Sequence, residues 1–401
     1  MTDRGVETDE KKMLLERIES GYSLPALSVV AIKLVELASD DSCSVNDLTS
    51  LIEKDPSLAA NLLRMANSAF FRTTEPAATL PQAIMRVGFH QLRIMALSLS
   101  LRNTFPMGRA GAMDYEQFWR ISLYRGLLAQ SLSDHMQLTN GEEAFLTGLI
   151  LEIGLLIFFD IFLKHKSEGE ELDFYRLEEL LTWEKEHYGI DHREIGEAAL
   201  LHWKFPDRIV ETQRFRRIKI GDGDIIPPLA RVCEIARTLA EKMLHHKKDF
   251  HDLFTEARET FGISDEIVND SIVASLEQVE EIAGSLRLEL NKERDMLEIM
   301  EKANRTLGMI SEKVSQVRME QPLPSFDALD AKGSEKDAVA YTLQAVAHEI
   351  KNPLVAVAGF AKRLAKKIDP DSENGRYVQI ILEEAMRLEA KLKEMNKAAH
   401  G

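Results

Sequence analysis

Cysteine is almost absent from this chain, whose 401 residues include only Cys43 and Cys233. The two are far apart, and neither has a second cysteine or a histidine at a spacing typical of a zinc site. A disulfide framework and a structural zinc site are therefore not indicated. We interpret both residues as free thiols in the core of a protein from a reducing compartment.

Long uncharged apolar runs are also lacking. The N-terminal stretch MTDRGVETDEKKMLLERIES has no apolar segment of the kind that a secretory signal needs. The most apolar run, Leu146 to Leu163, contains Glu152 and Asp160, which favours a buried core helix over a membrane span. We expect a cytoplasmic protein with no membrane segment.

Basic residues are outnumbered, with 50 Lys and Arg against 66 Asp and Glu and a net charge of −16. Such a surface repels a polyanion over most of its area, so no nucleic-acid partner is expected. A chain of 401 residues is also longer than one compact core of usual size, which indicates two or three domains.

The alternating pattern of a half-buried strand nowhere extends beyond a few residues, whereas apolar residues recur at helical spacing nearly everywhere. The sequence therefore predicts an all-α fold. One helix start is especially clear. Asp55 supplies a capping carboxylate, and Pro56 takes the first helical position, where its missing N–H costs no hydrogen bond.

The periodicity changes after residue 290. Apolar residues then alternate at spacings of four and three, which is the heptad pattern of a short coiled coil. The residues of this seam are Met296, Met300, Ala303, Leu307, Ile310, Val314 and Val317. A single amphipathic helix lying on its own domain is the alternative.

These patterns divide the chain into four segments. Residues 1–290 form a multi-helix domain, 291–319 a coiled-coil helix, 320–334 a linker with two prolines and a glycine, and 335–401 a helical hairpin. The hairpin helices, at about 335–368 and 373–398, each carry an apolar seam. Two hairpins can close a four-helix bundle, which predicts a homodimer. The seams comprise Val339, Thr342, Val346, Ile350, Pro353, Val357, Phe360, Leu364 and Ile368, and Val378, Ile381, Ala385, Leu388, Leu392 and Met395.

His348 stands out within the first hairpin helix. It lies two positions after Val346 and two before Ile350, so helical geometry places it opposite the seam, toward solvent. Asn352 is one turn further along the same face, and Glu349 is adjacent in sequence.

The stretch AHEIKNPL, residues 347–354, resembles the H-box of the dimerisation and phosphoacceptor domain of sensor histidine kinases, and the resemblance covers about 335–398. It implies that His348 attacks the γ-phosphorus of ATP and passes the phosphoryl group to the receiver domain of a response regulator. It also implies that Glu349 takes the ring proton and that Asn352 orients a hydrolytic water.

The chain has no counterpart of the glycine-rich ATP lid or the Asn-bearing nucleotide-binding helix of those kinases. We therefore expect no cofactor in this chain, with ATP reaching it only through a separate or downstream kinase domain. The expected function is that of a two-component signal transduction protein of the histidine-kinase type. The alternative is a non-catalytic dimeric signalling adaptor whose hairpin only dimerises.

A second resemblance covers about residues 20–215. The motifs LPAL at 24–27, IEKDPSL at 52–58, FWR at 118–120 and EEAFLTGL at 142–149 are together similar to the HDOD family, a signalling branch related to HD-type phosphohydrolases. The resemblance implies a sensor or regulatory domain made of helices.

Metal chemistry is not expected in this domain. HD hydrolases hold divalent metal with a histidine, a His-Asp pair and a later aspartate. This chain has Leu151-Glu152 where the pair is expected and Ile121 where the first histidine is expected. We interpret His192 as a packed or capping residue, and a cryptic HD-type phosphodiesterase is the third hypothesis.

Overall fold

The structure, a computed structural model, describes residues 24–38, 44–67, 76–164, 173–174, 176–216, 226–245, 250–286, 298–308, 357–366 and 368–400, with the isolated residues 16, 218, 288, 290, 295 and 354. The predicted linker at 320–334 and Cys43 lie outside these ranges. Cys233 is a buried free thiol, as predicted.

The described chain is helical with one very short hairpin of strands, which confirms the all-α prediction. In chain order its elements are α1 Val29–Ala38, α2 Val45–Ile52, α3 Pro56–Ala66, α4 Leu80–Val87, α5 Phe89–Thr104, β1 Arg109–Ala110, β2 Met113–Asp114, α6 Tyr115–Met136, α7 Gly141–Ile150, α8 Ile153–Phe158, a π-helix Phe159–Leu163, α9 Leu177–Tyr188, α10 His192–His202, α11 Asp207–Val210, a 3-10 helix Glu211–Arg214, α12 Pro228–Leu244, α13 Phe250–Glu259, α14 Asp265–Ser285 and α15 Glu373–His400. The two strands pair antiparallel, Arg109 with Asp114 and Ala110 with Met113.

Local sequence explains where these helices begin. Asp55 caps α3 by accepting the N–H of Leu58 at 3.0 Å, and Pro56 is its first residue, as predicted. Asp191 caps α10 in the same manner, and Glu194 completes a reciprocal capping box with it. Each cap satisfies donors that a helix start would otherwise leave unpaired.

The apolar segment Gly141–Leu163 is long and apolar enough to cross a membrane by length and composition, but 78% of its most apolar window is buried within the structure. This burial confirms the prediction of a core helix. The segment is not one continuous α-helix, however. It breaks at Leu151 and Glu152, between α7 and α8, and both residues are almost fully buried.

The chain divides into two compact units, one of residues 1–241 with 274–291 and the other of residues 242–273 with 292–401. In the first unit, α8 and α10 approach each other at two glycines. A Cβ atom on Gly154 would lie 2.5 Å from the backbone nitrogen of Gly196 and would overlap the carbonyl oxygen of His192. Only glycine at position 154 therefore permits this packing.

The second unit contains the described part of the predicted seams. In helical residues 298–308, Met300, Ala303 and Leu307 are buried within the single chain, and Lys302 donates to the carbonyls of Lys242 and Met243 at 2.9 and 2.6 Å. This burial favours the alternative in which the helix lies on its own chain. The dimeric coiled coil stays a prediction, and Ile310, Val314 and Val317 lie outside the described residues.

The hairpin follows the predicted pattern where it is described. Its second helix, α15, begins at Glu373, and Ser372 Oγ accepts the N–H of Gly375 at 2.9 Å at the preceding turn. The buried seam residues are Val357, Phe360, Leu364, Val378, Ile381, Ala385 and Leu388. The predicted boundaries at 290, 319 and 334 stay predictions.

Replacing Gly154 with alanine tests the close contact of α8 and α10. We expect Gly154→Ala to lower the free energy of unfolding of the first unit by about 3 kcal/mol or more, because backbone atoms must move to admit the methyl group. Tryptophan fluorescence during urea denaturation measures this, since the chain's 3 tryptophans, at positions 119, 183 and 203, lie in that unit.

The matched control is Gly284→Ala, because a Cβ atom at this helical glycine meets nothing within 4 Å. It should stabilise the unit by up to about 1 kcal/mol through the better helix propensity of alanine. Equal stabilities of the two variants would contradict the packing described for Gly154.

Candidate functional site

The predicted phosphoacceptor residues His348, Glu349 and Asn352 lie outside the described residues. The structure therefore places neither their side chains nor their mutual geometry. What it does describe is the C-terminal part of the same hairpin, whose seam is buried as predicted.

In the first unit, two positions at which the sequence resemblance implies HD metal ligands lie close together. Ile121 of α6 and Glu152, at the break before α8, line the same small cavity, together with Phe118, Ser122, Arg125, Phe174 and Leu177. The side chain of Leu151 is fully buried. Branched aliphatic side chains thus stand at positions 121 and 151, where the resemblance implies metal ligands.

The carboxylate of Glu152 is held by two cations. Its Oε2 accepts from His192 Nε2 at 2.6 Å, and its Oε1 accepts from Arg193 Nη1 at 2.9 Å. Burial opposes its ionisation, but Arg193 and His192 outweigh this penalty and hold the pKa of Glu152 well below its usual range. Glu152 is therefore an ionised carboxylate in the interior.

His192 lies between two carboxylates. Its Nδ1 and its backbone N–H both contact Glu184 Oε2, at 2.6 and 2.8 Å, while Nε2 contacts Glu152. Burial acts to lower the pKa of the His192 ring, but the carboxylates of Glu184 and Glu152 outweigh this effect and raise the pKa to about 9. Near neutral pH the imidazolium donates from both ring nitrogens, which confirms that His192 is a packed residue.

Arg193 uses every donor of its guanidinium. Nη1 contacts Glu152 and the carbonyl of Leu151, Nη2 contacts Glu234 and the carbonyls of Thr212 and Phe215, and Nε contacts the carbonyl of Gln213. The side chain is 1% exposed. A planar cation with five donors can serve more acceptors at once than the three-donor ammonium of a lysine.

The network continues along α12. Arg237 donates to Glu234 at 2.9 Å, to Glu241 at 2.8 Å and to Glu178 of α9 at 2.5 Å. Burial raises the pKa of Glu241 to about 7, although Arg237 acts in the opposite direction. Carboxylates and cations thus alternate from α9 through α10 to α12.

Arg125 adds a further buried cation beside the cavity. Its Nε donates to the carbonyl of Gly148 at 2.5 Å and its Nη2 to Ser122 Oγ at 2.9 Å. Burial lowers the pKa of Arg125 to about 10, which still leaves it charged near neutral pH. Arg125 therefore contributes a positive charge to the wall of the cavity.

The donor set does not fit a divalent metal. Both oxygens of Glu152 already accept from cations, which would repel a divalent ion, and both nitrogens of the protonated His192 carry hydrogens and offer no lone pair. Within the part of the chain that the structure describes, no group of three or more His, Cys, Asp or Glu side chains is arranged to hold a metal ion. The guanidinium of Arg193 provides the positive charge opposite Glu152.

Sequence reasoning identified Glu152 and His192 individually but missed Glu184, Arg193, Glu234 and Arg237 as their partners. Glu184 and Arg193 are separated by nine positions, and Glu234 comes from a later helix, so no local motif joins them. A usable signal was the charge of Glu152 inside an otherwise apolar segment, because a buried carboxylate requires a cationic partner.

The fold and this site define a class of protein: a helical domain with a buried ionic network, in a chain that also carries a helical hairpin. Family models match in the same order. The HDOD domain matches residues 24–218, and the His Kinase A (phospho-acceptor) domain matches residues 339–399. The chain therefore carries an HDOD domain followed by a His Kinase A domain, and it is a histidine-kinase-like signalling protein. Both resemblances stated from the sequence are confirmed.

The chain is similar to an uncharacterized protein of Treponema pallidum (strain Nichols), with 20% identity over 215 residues, which cover 52% of this chain and 40% of that protein. It thus spans about two fifths of the relative's length. Two solved structures, each 19% identical, share the fold alone. A candidate signal transduction protein from Marinobacter aquaeolei VT8 gives a TM-score of 0.53, covering 72% of this chain and 67% of that one. A candidate phosphohydrolase from Shewanella amazonensis SB2B gives a TM-score of 0.51, and the match covers 69% of this chain and 97% of that one.

The protonated state of His192 predicts a pH dependence of stability. Because the pKa of His192 is raised to about 9 from 6.5 in the folded chain, its contribution is complete below the unfolded pKa and is lost as pH rises through the folded pKa. We expect about 3 kcal/mol of unfolding free energy to disappear over this range. Urea denaturation followed by tryptophan fluorescence at a series of pH values measures the loss.

His192→Gln should be less stable at neutral pH and should lack this slope, because glutamine does not titrate. The matched control is His187→Gln, which removes an exposed histidine from the neighbouring helix α9 and should keep the wild-type slope. A wild-type slope that persists in His192→Gln would show that another group is responsible.

Proposed function

We propose that this chain is a two-component signalling protein in which the HDOD domain regulates phosphate transfer through His348. The observation that carries the proposal is the match of the His Kinase A domain to residues 339–399, since this range contains His348, Glu349 and Asn352. The buried apolar seam of the described hairpin supports it, because that seam is the feature from which a phosphoacceptor bundle is built.

The chemistry follows from the residue types. A neutral imidazole nitrogen of His348 attacks the γ-phosphorus of ATP held by a kinase domain, the bond from phosphorus to the ADP oxygen breaks, and Glu349 accepts the proton that the ring releases. The phosphoramidate then passes its phosphoryl group to a carboxylate of a response regulator receiver domain. Asn352 orients water for the competing hydrolysis.

For the HDOD domain we propose a regulatory role without metal-dependent hydrolysis. This rests on Ile121 and Leu151 at ligand positions and on the guanidinium of Arg193 opposite Glu152, at 2.9 Å. A divalent ion placed there would have to displace a hydrogen-bonded cation that is 1% exposed, at a cost of several kcal/mol. We further propose a cytoplasmic homodimer that works with an ATP-binding kinase domain.

Phosphate labelling tests the role of His348. The full chain, mixed with ATP and the ATP-binding domain of a related histidine kinase, should acquire a phosphate that is labile in acid and stable in base. His348→Gln should abolish labelling, Glu349→Ala should slow it, and Asn352→Ala should chiefly slow dephosphorylation. Time courses with radioactive ATP measure all of these effects.

The matched control is His400→Gln, which changes the other histidine within 335–401 and should label like the wild type. Circular dichroism of each variant checks that the helices are retained. Labelling that persists in His348→Gln would refute the phosphoacceptor assignment and leave the non-catalytic adaptor as the better description.

Metal titration tests the regulatory role of the HDOD domain. Calorimetry with Mn²⁺, Fe²⁺ or Zn²⁺ should reveal no stoichiometric binding to the full chain, and cyclic dinucleotides should not be hydrolysed with these metals present, because no free ligand set faces the cavity. An active HD-type hydrolase assayed in parallel provides the positive control. Metal-dependent hydrolysis that is lost in Glu152→Gln would establish the phosphodiesterase hypothesis instead.

A further inference from the structure

The apolar seam of the hairpin is covered within a single chain. Val357 and Phe360 of the first hairpin helix and Ala385 and Leu388 of the second are all 0% exposed. Two helices packed side by side leave the edges of their shared apolar seam in contact with solvent. Complete burial of these four side chains therefore requires further residues of the same chain.

The contacts of Gly359 and Arg363 identify one covering element, the beginning of α14. Arg363 forms an ion pair with Asp270, and its Nη2 lies 3.2 Å from Glu266 Oε1. A Cβ atom on Gly359 would lie 2.9 Å from Asn269 Nδ2. These residues all belong to the second unit.

The spacing on each helix shows that this is a contact of two helix faces. Glu266, Asn269 and Asp270 are three and four positions apart, and Gly359 and Arg363 are four apart, so each set shares one face of its helix. Glycine allows the close approach, and the two carboxylates receive the guanidinium. The ion pairs are partly exposed, so they set the register of the two helices more than they stabilise the contact.

We propose that the first turns of α14 form an intramolecular docking surface for the phosphoacceptor hairpin, and that this docked state and the dimeric four-helix bundle exclude each other. The inference rests on the proposed function, which supplies the dimeric bundle. A seam residue without exposed surface cannot also pack against a second chain, so dimerisation through this seam requires release from α14. The equilibrium between the two states then controls how much of the chain is dimeric.

Charge reversal on α14 tests the docking surface without altering the hairpin. Asp270→Arg places a second positive charge beside Arg363 and should weaken docking on α14. Because docking competes with dimerisation, the dissociation constant of the full-length dimer should fall by about tenfold, which corresponds to about 1.4 kcal/mol. Sedimentation equilibrium measures the constant. The double variant Asp270→Arg with Arg363→Glu restores an opposite pair and should return the constant toward the wild-type value.

The matched control for the hairpin is Arg387→Glu, because Arg387 pairs with Glu384 on its own helix. It should leave the dissociation constant within about twofold of wild type. An Asp270→Arg variant that keeps its helicity but dimerises no more tightly than this control would overturn the proposal.

A disulfide across the contact provides a second test that does not depend on charge. The Cβ position of Gly359 lies 3.9 Å from Asn269 Cγ, whose place the sulfur of a cysteine would take, so side chains at 359 and 269 are close enough for a disulfide bond to be engineered. In a Cys43→Ser background, Asn269→Cys with Gly359→Cys should form an intrachain bond. The oxidised protein should be monomeric, and reduction should restore dimerisation.

Two outcomes of this test would overturn the docking surface: a cysteine pair that does not cross-link within one chain, or an oxidised monomer that dimerises like the reduced one. Labelling of His348 in the wild type is scored separately. A chain that shows the redox-dependent dimerisation but no phosphate on His348 would retain the docking surface and lose the phosphotransfer role.

Discussion

The guanidinium of Arg193 meets the carboxylate of Glu152 at 2.9 Å in the interior of the first unit, where neither side chain is more than 1% exposed. Through its other donors Arg193 reaches Glu234 and the carbonyls that surround the 3-10 helix. The break between α7 and α8, the start of α10 and the middle of α12 are thus held by one cation. The close packing at Gly154 places α8 against the same part of α10.

This arrangement is stabilising only as a complete set. Each buried charge costs several kcal/mol to remove from water, and removing a single partner leaves the other uncompensated. Glu152 is paired with Arg193 and His192, His192 also with Glu184, and Arg237 with Glu234 and Glu178. The network therefore specifies how the helices meet. The side-chain cations of Arg193, His192 and Arg237 thus join α9, α10 and α12.

The second unit uses charge differently. Arg363 is 27% exposed, and it forms ion pairs with Asp270 and Glu266. Pairs of this kind contribute little free energy but determine register and can be disrupted at modest cost. Such partly exposed pairs suit the proposed docking equilibrium, in which the contact forms and dissociates, whereas the fully buried pairs of the first unit suit a rigid core.

The sequence by itself determined the helical class, the start of α3 at Pro56, the hairpin seam and the two families, because each of these depends on local spacing or on short motifs. It also identified the positions of Ile121 and Leu151-Glu152, since they follow recognisable motifs. Only the tertiary structure decided that Glu152 pairs with Arg193 and His192, and that Arg363 meets Asp270. These partners are tens of residues apart in the chain, and a charged residue's sequence neighbours do not reveal which distant helix will bury it.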